Sequence, residues 1–331
     1  MTETTISVII ISRNEEKNIA RSIESVIEAT KDVNSEIILA DSGSKDKTIE
    51  IAKKYPIRIY QLKNEKHFSP AAGRYLGFIN SRGKFIQFID GDSVLDRDWF
   101  KNSIPIMEKD DSVAVIEGLV TIKSVLTYSD KREYNRLRGL KLGDADYIEV
   151  GTNLCRRKVL EEVGPYNPYI KFHEEAELSL RIKEKGYRII RVPYQMAYDL
   201  GENKSFSRFI LNKFKYTIGY GQILRYILGN SNLFSKFLED HRLLLLHFSI
   251  YSVLLVVILV DLIFDNYFSI FVPILLLLAF TSAYAECKSI KKALTYAVLS
   301  PFRSLFFARG LLINKKNLSN FEIEAKVVRI K

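Results

Sequence analysis

The chain has little of what disulfide-stapled or metal-knuckle proteins are built from. Its 331 residues include two cysteines, Cys155 and Cys287, far apart in the chain. Neither a disulfide framework nor a paired-cysteine metal site can be made from them, which agrees with a reducing compartment. There is no internal repeat and no low-complexity tract. Met1–Thr5 carries Glu3 and no basic residue, and the apolar run Ile6–Ile11 is too short for a signal core, so no secretory signal is expected. The turn after the first apolar run, SRNEE, has no glycine. A triphosphate-cradling loop needs several, which argues against a nucleotidyltransferase.

What the chain does have is a net charge of +10, and its distribution matters more than its size. Residues 1–203 hold 32 basic and 32 acidic side chains. Residues 204–242 hold 7 basic and 2 acidic, residues 243–287 no basic and 3 acidic, and residues 288–331 hold 10 basic and 2 acidic. The excess therefore flanks the most apolar stretch. A cytosolic membrane surface selects that pattern, whereas a nucleic-acid reader places its charge on the folded domain. No nucleic-acid partner is expected.

The first two hundred residues alternate strand and helix signals. Ser7–Ser12, Glu36–Ala40, Ile57–Tyr60 and Lys84–Ile89 read as strands. Helices are expected from about Glu15 with Asn14 as N-cap, over Lys47–Lys54, Pro70–Asn80 and Trp99–Glu108, and over Glu174–Lys185 ending at Gly186. This order predicts an α/β fold, a mostly parallel sheet flanked by helices. Ligands of such sheets sit beyond the carboxyl ends of the strands.

Two apolar spans follow, Leu243–Phe264 and Phe268–Ala285, each near the length a membrane helix needs. Only Asp265, Asn266 and Tyr267 separate them, so an antiparallel transmembrane hairpin is expected, with both basic flanks in the cytosol. Ala293–Leu312 contains Pro301, Arg303 and Arg309 and reads as an interfacial helix, a third span being the alternative. The expected organisation is a catalytic domain over 1–203, basic interfacial helices over 204–242, a hairpin over 243–285, and an interfacial helix and tail over 286–331.

Acidic residues cluster where strands should end. Asp41 follows EIILA, Asp90 and Asp92 flank Gly91 after KFIQFI, and Glu15 follows the first strand. Asp and Gly are also ordinary turn residues, and Asp41 could serve an Asx-turn. Yet carboxylates at strand ends suit a hard divalent cation, Mg2+ or Mn2+, that completes its shell with phosphate oxygens. In HEEAELSLRIKEKGYRI, Glu174, Glu175 and Glu177 could simply complement the helix dipole, yet Glu175 lies one turn before Leu178 and on its face, so it is expected to point inward.

Five ordered segments resemble the inverting family 2 glycosyltransferases of the GT-A fold: SVIIISRNEE, ILADSGSKDKT, AAGRYLGFINSRGKFIQFIDGDS, GTNLCRR and HEEAELSLRIKEKGYRI. The resemblance implies that Ser12, Arg13 and Glu15 line a nucleotide pocket and that Asp41 contacts the nucleoside. It places Arg74 near the diphosphate, Asp90 and Gly91 on the ribose side, and Asp92 with Asp90 on the metal. Glu175 or Glu174 would be the catalytic base. Ser12 and Arg13 stand where the family commonly has Pro and Tyr, Ser42 where it often has a second Asp, and Glu175 where it usually has Asp. Gln222–Tyr226 resembles a motif of processive members, with Tyr226 in place of Trp, and is read as a coincidence of an interfacial helix. Three outcomes are carried forward. One is sugar transfer from a nucleotide-diphosphate sugar to a hydroxyl of a lipid-linked or glycan acceptor, at the cytosolic face of the cell membrane. The second is direct transfer to a polyprenyl phosphate. The third is a non-catalytic membrane protein of the same fold. Residues 123–150 match no readable pattern.

Overall fold

The computed structural model describes residues 4–122, 139, 141–200, 206–264, 271–313, 321 and 323–329. The chain forms two compact units, Met1–Phe209 with Lys316–Lys331, and Ile210–Lys315.

The first unit runs β1 (Ile6–Ser12), α1 (Ile19–Ala29), β2 (Ser35–Asp41), α2 (Thr48–Ala52), β3 (Arg58–Leu62), α3 (Pro70–Ile79), β4 (Phe85–Asp90), β5 (Ser93–Leu95), α4 (Trp99–Lys109) and β6 (Val113–Ile122). It continues with β7 (Gly143–Ala145), β8 (Asn153–Arg156), α5 (Arg157–Val163), α6 (Glu174–Glu184) and β9 (Arg188–Asp199). The second unit carries α7 (Phe206–Ile227), α8 (Ser231–Asp240), α9 (Arg242–Phe264), α10 (Val272–Cys287) and α11 (Ile290–Leu312), and β10 (Ala325–Arg329) returns to the first.

Each element has a local cause. β1 is a β-branched run buried at every position, as a central strand covered on both faces requires. α3 starts where Ser69 Oγ accepts the Ala72 N–H at 3.1 Å and Pro70 takes the first helical position. Gly77 lets α3 lie on the sheet, because a Cβ there would stand 2.2 Å from Ile9 Cγ2.

The ten strands make one sheet in the order β10-β3-β2-β1-β4-β8-β6-β9-β5, with β7 also paired to β9. Here the expectation of a mostly parallel sheet is corrected. β3-β2-β1-β4 is parallel throughout, and so is β6 with β9. The β4–β8, β6–β8, β5–β9, β7–β9 and β10–β3 pairs are antiparallel. The nucleotide-type half follows the βα rhythm, and the other half is mixed because β8 enters between β4 and β6 in the opposite sense.

Two further expectations change. α1 starts at Ile19, and Asn14 does not cap it: Asn14 has a φ of 59°, its N–H donates to Ser44 Oγ at 2.8 Å, and its Oδ1 accepts the Lys45 N–H at 2.8 Å. The tail does not remain interfacial. Residues 325–329 pair with β3, and Phe321 makes edge contacts with His67, Tyr75 and Tyr169 at centroid distances of 5.0, 5.4 and 5.1 Å. In the second unit, one helix among the described residues is long and apolar enough to cross a membrane, Arg242–Val260, with mean hydropathy 2.7. Val272–Ala285 is apolar but shorter, and the link at 265–267 lies outside the described residues. His247 Nε2 and Ser282 Oγ, 3.1 Å apart, join α9 to α10, and Tyr251 donates to the Ala297 carbonyl at 2.8 Å, joining α9 to α11.

Candidate active site

The parallel register brings three strand ends to one level. Ser12 pairs with Asp41 across β1–β2, and Ile11 pairs with Asp90 across β1–β4. The Ser42 N–H donates to the Ser12 carbonyl at 2.8 Å, and the Gly91 N–H to that of Ile11 at 2.8 Å. The Gly91 turn needs the absence of a side chain: a Cβ would stand 3.1 Å from the Ile11 carbonyl oxygen, 3.2 Å from Ser12 Cβ and 3.3 Å from Glu15 Cγ. Ser12, Glu15 and Gly91 are therefore neighbours.

Asp41 is fully buried. Its Oδ1 accepts from the Ser44 N–H and from Gln61 Nε2, both at 2.8 Å, and its Oδ2 accepts from Ser12 Oγ at 2.9 Å and from the Ser44 hydroxyl. Buried carboxylates persist where hydrogen bonds replace water, and here hydroxyls and amides do so. Asp41 thus ties β1, β2, β3 and the 42–44 turn together. The exposed Arg13 lies over the Phe68 ring at 5.2 Å, and Phe68 itself packs on Gly43.

The second cluster is organised by one cation. Arg74, buried on α3, places Nη2 3.1 Å from Asp90 Oδ1, and Nη1 2.9 Å from Glu174 Oε1 and 3.3 Å from Glu175 Oε1. Its guanidinium lies 5.0 Å over the Tyr166 ring. Burial works against the Arg74 charge, and the carboxylates of Asp90, Glu175 and Glu174 outweigh it, holding the group above its usual range. The expected inward position of Glu175 is corrected in degree. The Glu174 side chain is 7% exposed and that of Glu175 is 21% exposed. Glu174 shares the buried stripe of Leu178 and Ile182 at spacings of four, and Glu175 sits at its edge. Burial, with the Glu175 carboxylate adding to it, pushes the Glu174 carboxyl up to about 8 against the pull of Arg74.

Sequence reasoning missed Gln61, Ser44, Tyr166 and Gly151. Gly151 stands so close that a Cβ would meet Arg74 Nη2 at 2.1 Å and Asp90 Oδ2 at 3.0 Å. Its place in GTNLCRR was a signal for a close backbone approach. Tyr166, between Pro165 and Asn167, gave none.

Asp90 and Asp92 offer oxygen donors on either side of Gly91, Asp90 being 39% exposed. Among the described residues no group of three or more His, Cys, Asp or Glu is gathered to hold a metal by itself. This donor set fits a hard cation that takes its remaining ligands from phosphate oxygens and water.

Residues 7–164 match the model of Glycosyl transferase family 2. The match is to a glycosyltransferase domain and covers a little under half of the chain. Glu174 and Glu175 lie beyond the matched span. Glycosyltransferase AglE of Haloferax volcanii is 23% identical over 239 residues, covering 69% of this chain and 76% of the relative. An uncharacterized glycosyltransferase of Rickettsia felis is 36% identical over 115 residues, 34% of this chain. The chain spans only 18% of the length of that relative. Among solved structures, the mannosyltransferase PcManGT from Pyrobaculum calidifontis, in complex with GDP-Man and Mn2+, has a TM-score of 0.59 at 16% identity, covering 94% of this chain and 88% of that one. That likeness shows the fold, a mixed α/β architecture of the GT-A kind.

Proposed function

We propose that the chain is a membrane-anchored inverting glycosyltransferase that moves a sugar from a nucleotide-diphosphate sugar to a hydroxyl of a lipid-linked or glycan acceptor. The observation that carries this reading is the Arg74 cluster. One buried guanidinium joins Asp90, at a strand end, to Glu174 and Glu175, at a helix start. A donor diphosphate and an attacking hydroxyl need these two kinds of group side by side.

In this reading Ser12, Arg13, Glu15 and Gly91 line the nucleotide pocket, and Asp41 holds its floor through Ser12 and Ser44. Glu175, the less buried of the pair, takes the proton from the acceptor hydroxyl as its oxygen bonds to the anomeric carbon and the bond to the diphosphate breaks. Glu174, whose carboxyl burial and the Glu175 charge push upward, remains a hydrogen-bonded partner of Arg74. Asp92 and Asp90 would hold a Mg2+ or Mn2+ ion, which neutralises charge on the departing diphosphate. A base for a hydroxyl favours the hydroxyl acceptor, since a lipid phosphate is ionised without one. The anchor is a hairpin of α9 and α10. Its supporting observation is that only 17% of the Arg242–Val260 window is buried, unlike the core helix of a soluble protein. The basic flanks of the helical region support a cytosolic catalytic unit.

The test incubates the full chain, in membranes, with labelled UDP- and GDP-sugars and Mn2+ or Mg2+. Transfer to a lipid or glycan fraction is expected, and Asp92→Asn should abolish it while the protein stays folded. Near-normal turnover by that variant refutes the metal role. Label recovered solely on a polyprenyl phosphate replaces the hydroxyl acceptor. No transfer and no donor hydrolysis with any sugar sinks the enzyme reading.

A further inference from the structure

One buried charged pair has no part in the chemistry above. Glu117 on β6 and Arg191 on β9 are register partners, their side chains 1% and 7% exposed, with Arg191 Nη2 donating to Glu117 Oε2 at 2.9 Å. Well-packed apolar residues do the stabilising work of such a pair as well or better, so what else it holds is informative. Glu117 Oε1 accepts the N–H groups of Glu149 at 2.8 Å and Val150 at 2.9 Å. Arg191 Nη1 donates to the Lys141 carbonyl at 2.9 Å. The pair thus holds both ends of the segment that carries β7 and leads to Gly151.

That segment touches both halves of the Arg74 cluster. Its next residue, Gly151, packs against Arg74 and Asp90. Asn153 Nδ2 donates to the carbonyls of Val150 and Gly151 at 3.0 and 3.2 Å and to the Tyr166 oxygen at 3.0 Å, and Tyr166 lies beneath Arg74. Upstream, the Ile148 N–H donates to Ser179 Oγ at 2.8 Å, and that hydroxyl donates to the Glu175 carbonyl at 2.6 Å.

We propose that Glu117, held by Arg191, is a positioning residue: it fixes the backbone of residues 149–151 so that Gly151 walls the pocket and sets Arg74 between Asp90 and the Glu174–Glu175 pair. The consequence for turnover rests on the glycosyltransferase reading, while the effect on geometry does not.

The test uses the full chain in detergent with two variants. Glu117→Gln removes the charge and leaves Arg191 unpaired. Glu117→Gln/Arg191→Met removes both charges, so that an unpaired buried cation does not unfold the protein. Amide hydrogen exchange should quicken about tenfold over 148–151 and 173–177 in both variants, with β1, β2 and α3 unchanged. With UDP-GlcNAc, UDP-glucose and GDP-mannose as probes in Mn2+, kcat should fall about 10- to 100-fold while KM for the donor changes far less. A folded double variant with the parent's kcat overturns the proposal, and so does faster exchange confined to β6 and β9. If the parent itself turns over none of the probes, the glycosyltransferase reading has failed on its own. Exchange at 173–177 then still decides the positioning role.

Discussion

The two compact units place their apolar side chains in opposite ways. In the α/β unit Ile9, Phe88, Trp99 and Leu178 are fully covered, and charged groups such as Arg74 and Glu117 are buried among them with partners. In the helical unit Val256, Leu277 and Val298 are 58%, 61% and 65% exposed. Both units are rich in aliphatic residues, so composition alone does not separate them. The difference lies in what surrounds the side chain. The first unit makes its own dry interior, within which paired charges hold fixed geometry. The second turns many of its apolar side chains outward, and the proposed membrane anchor would cover them with lipid.

The comparison breaks most readily at Arg74. Arg74→Ala strips the shared cation from Asp90, Glu174 and Glu175, and breaking a buried pair from one side costs about 3–5 kcal/mol. A large fall in melting temperature and loss of turnover are expected together. Val256→Ala, a truncation on the outward face of α9, should leave the melting temperature close to the parent's. Equal losses in the two variants would mean that the units are not held together in different ways.

Glu175→Gln separates chemistry from packing inside the first unit. Its side chain is the more exposed of the acidic pair, so the fold should survive, while kcat falls about 10²- to 10⁴-fold as a proton acceptor is lost. An unchanged kcat would transfer the base role to Glu174. In the second unit, Val253→Lys puts a charge near the middle of the apolar window, where insertion is opposed by about 2.5–3.5 kcal/mol. The expected outcome is a shift of protein from the carbonate-resistant membrane pellet to the supernatant. An unshifted distribution speaks against a spanning α9.

How much was legible follows the same division. Local signals succeeded where local physics decides. The helix expected over Pro70–Asn80 forms as α3 and ends one residue earlier, and Gly186 with a φ of 81° follows α6 as expected. The alternating order of β1 to β4 was readable because β-branched runs and helical spacing are properties of neighbours in sequence. What failed depends on partners distant in the chain. Asn14 has the composition of a cap, yet it is drawn to Ser44 and Lys45. β10 adds to β3 across some 260 residues, and nothing in AKVVR names that edge. Asp90, Glu174 and Glu175 were each named from local sequence. That a single arginine would join these three, and which of them would be buried, depended on how α3 and α6 converge.

The mildest test returns to that convergence. In the unfolded chain Glu174 loses its proton near 4.5, whereas burial beside Glu175 holds the folded group up at about 8. Between those values the folded state binds more protons than the unfolded state, so this group makes stability fall as pH rises through that window. The slope is at most about 1.4 kcal/mol per pH unit. Below the window the group does not penalise folding, and above it the penalty is complete. Glu174→Gln keeps the shape and an acceptor for Arg74 and has no proton to lose. Thermal melts of the two proteins in detergent from pH 4 to 9 should agree at the acid end and diverge upward, with the variant the more stable by pH 8. Parallel curves across the whole range would place water beside Glu174 and loosen the dry, cation-centred interior on which the contrast between the two units rests.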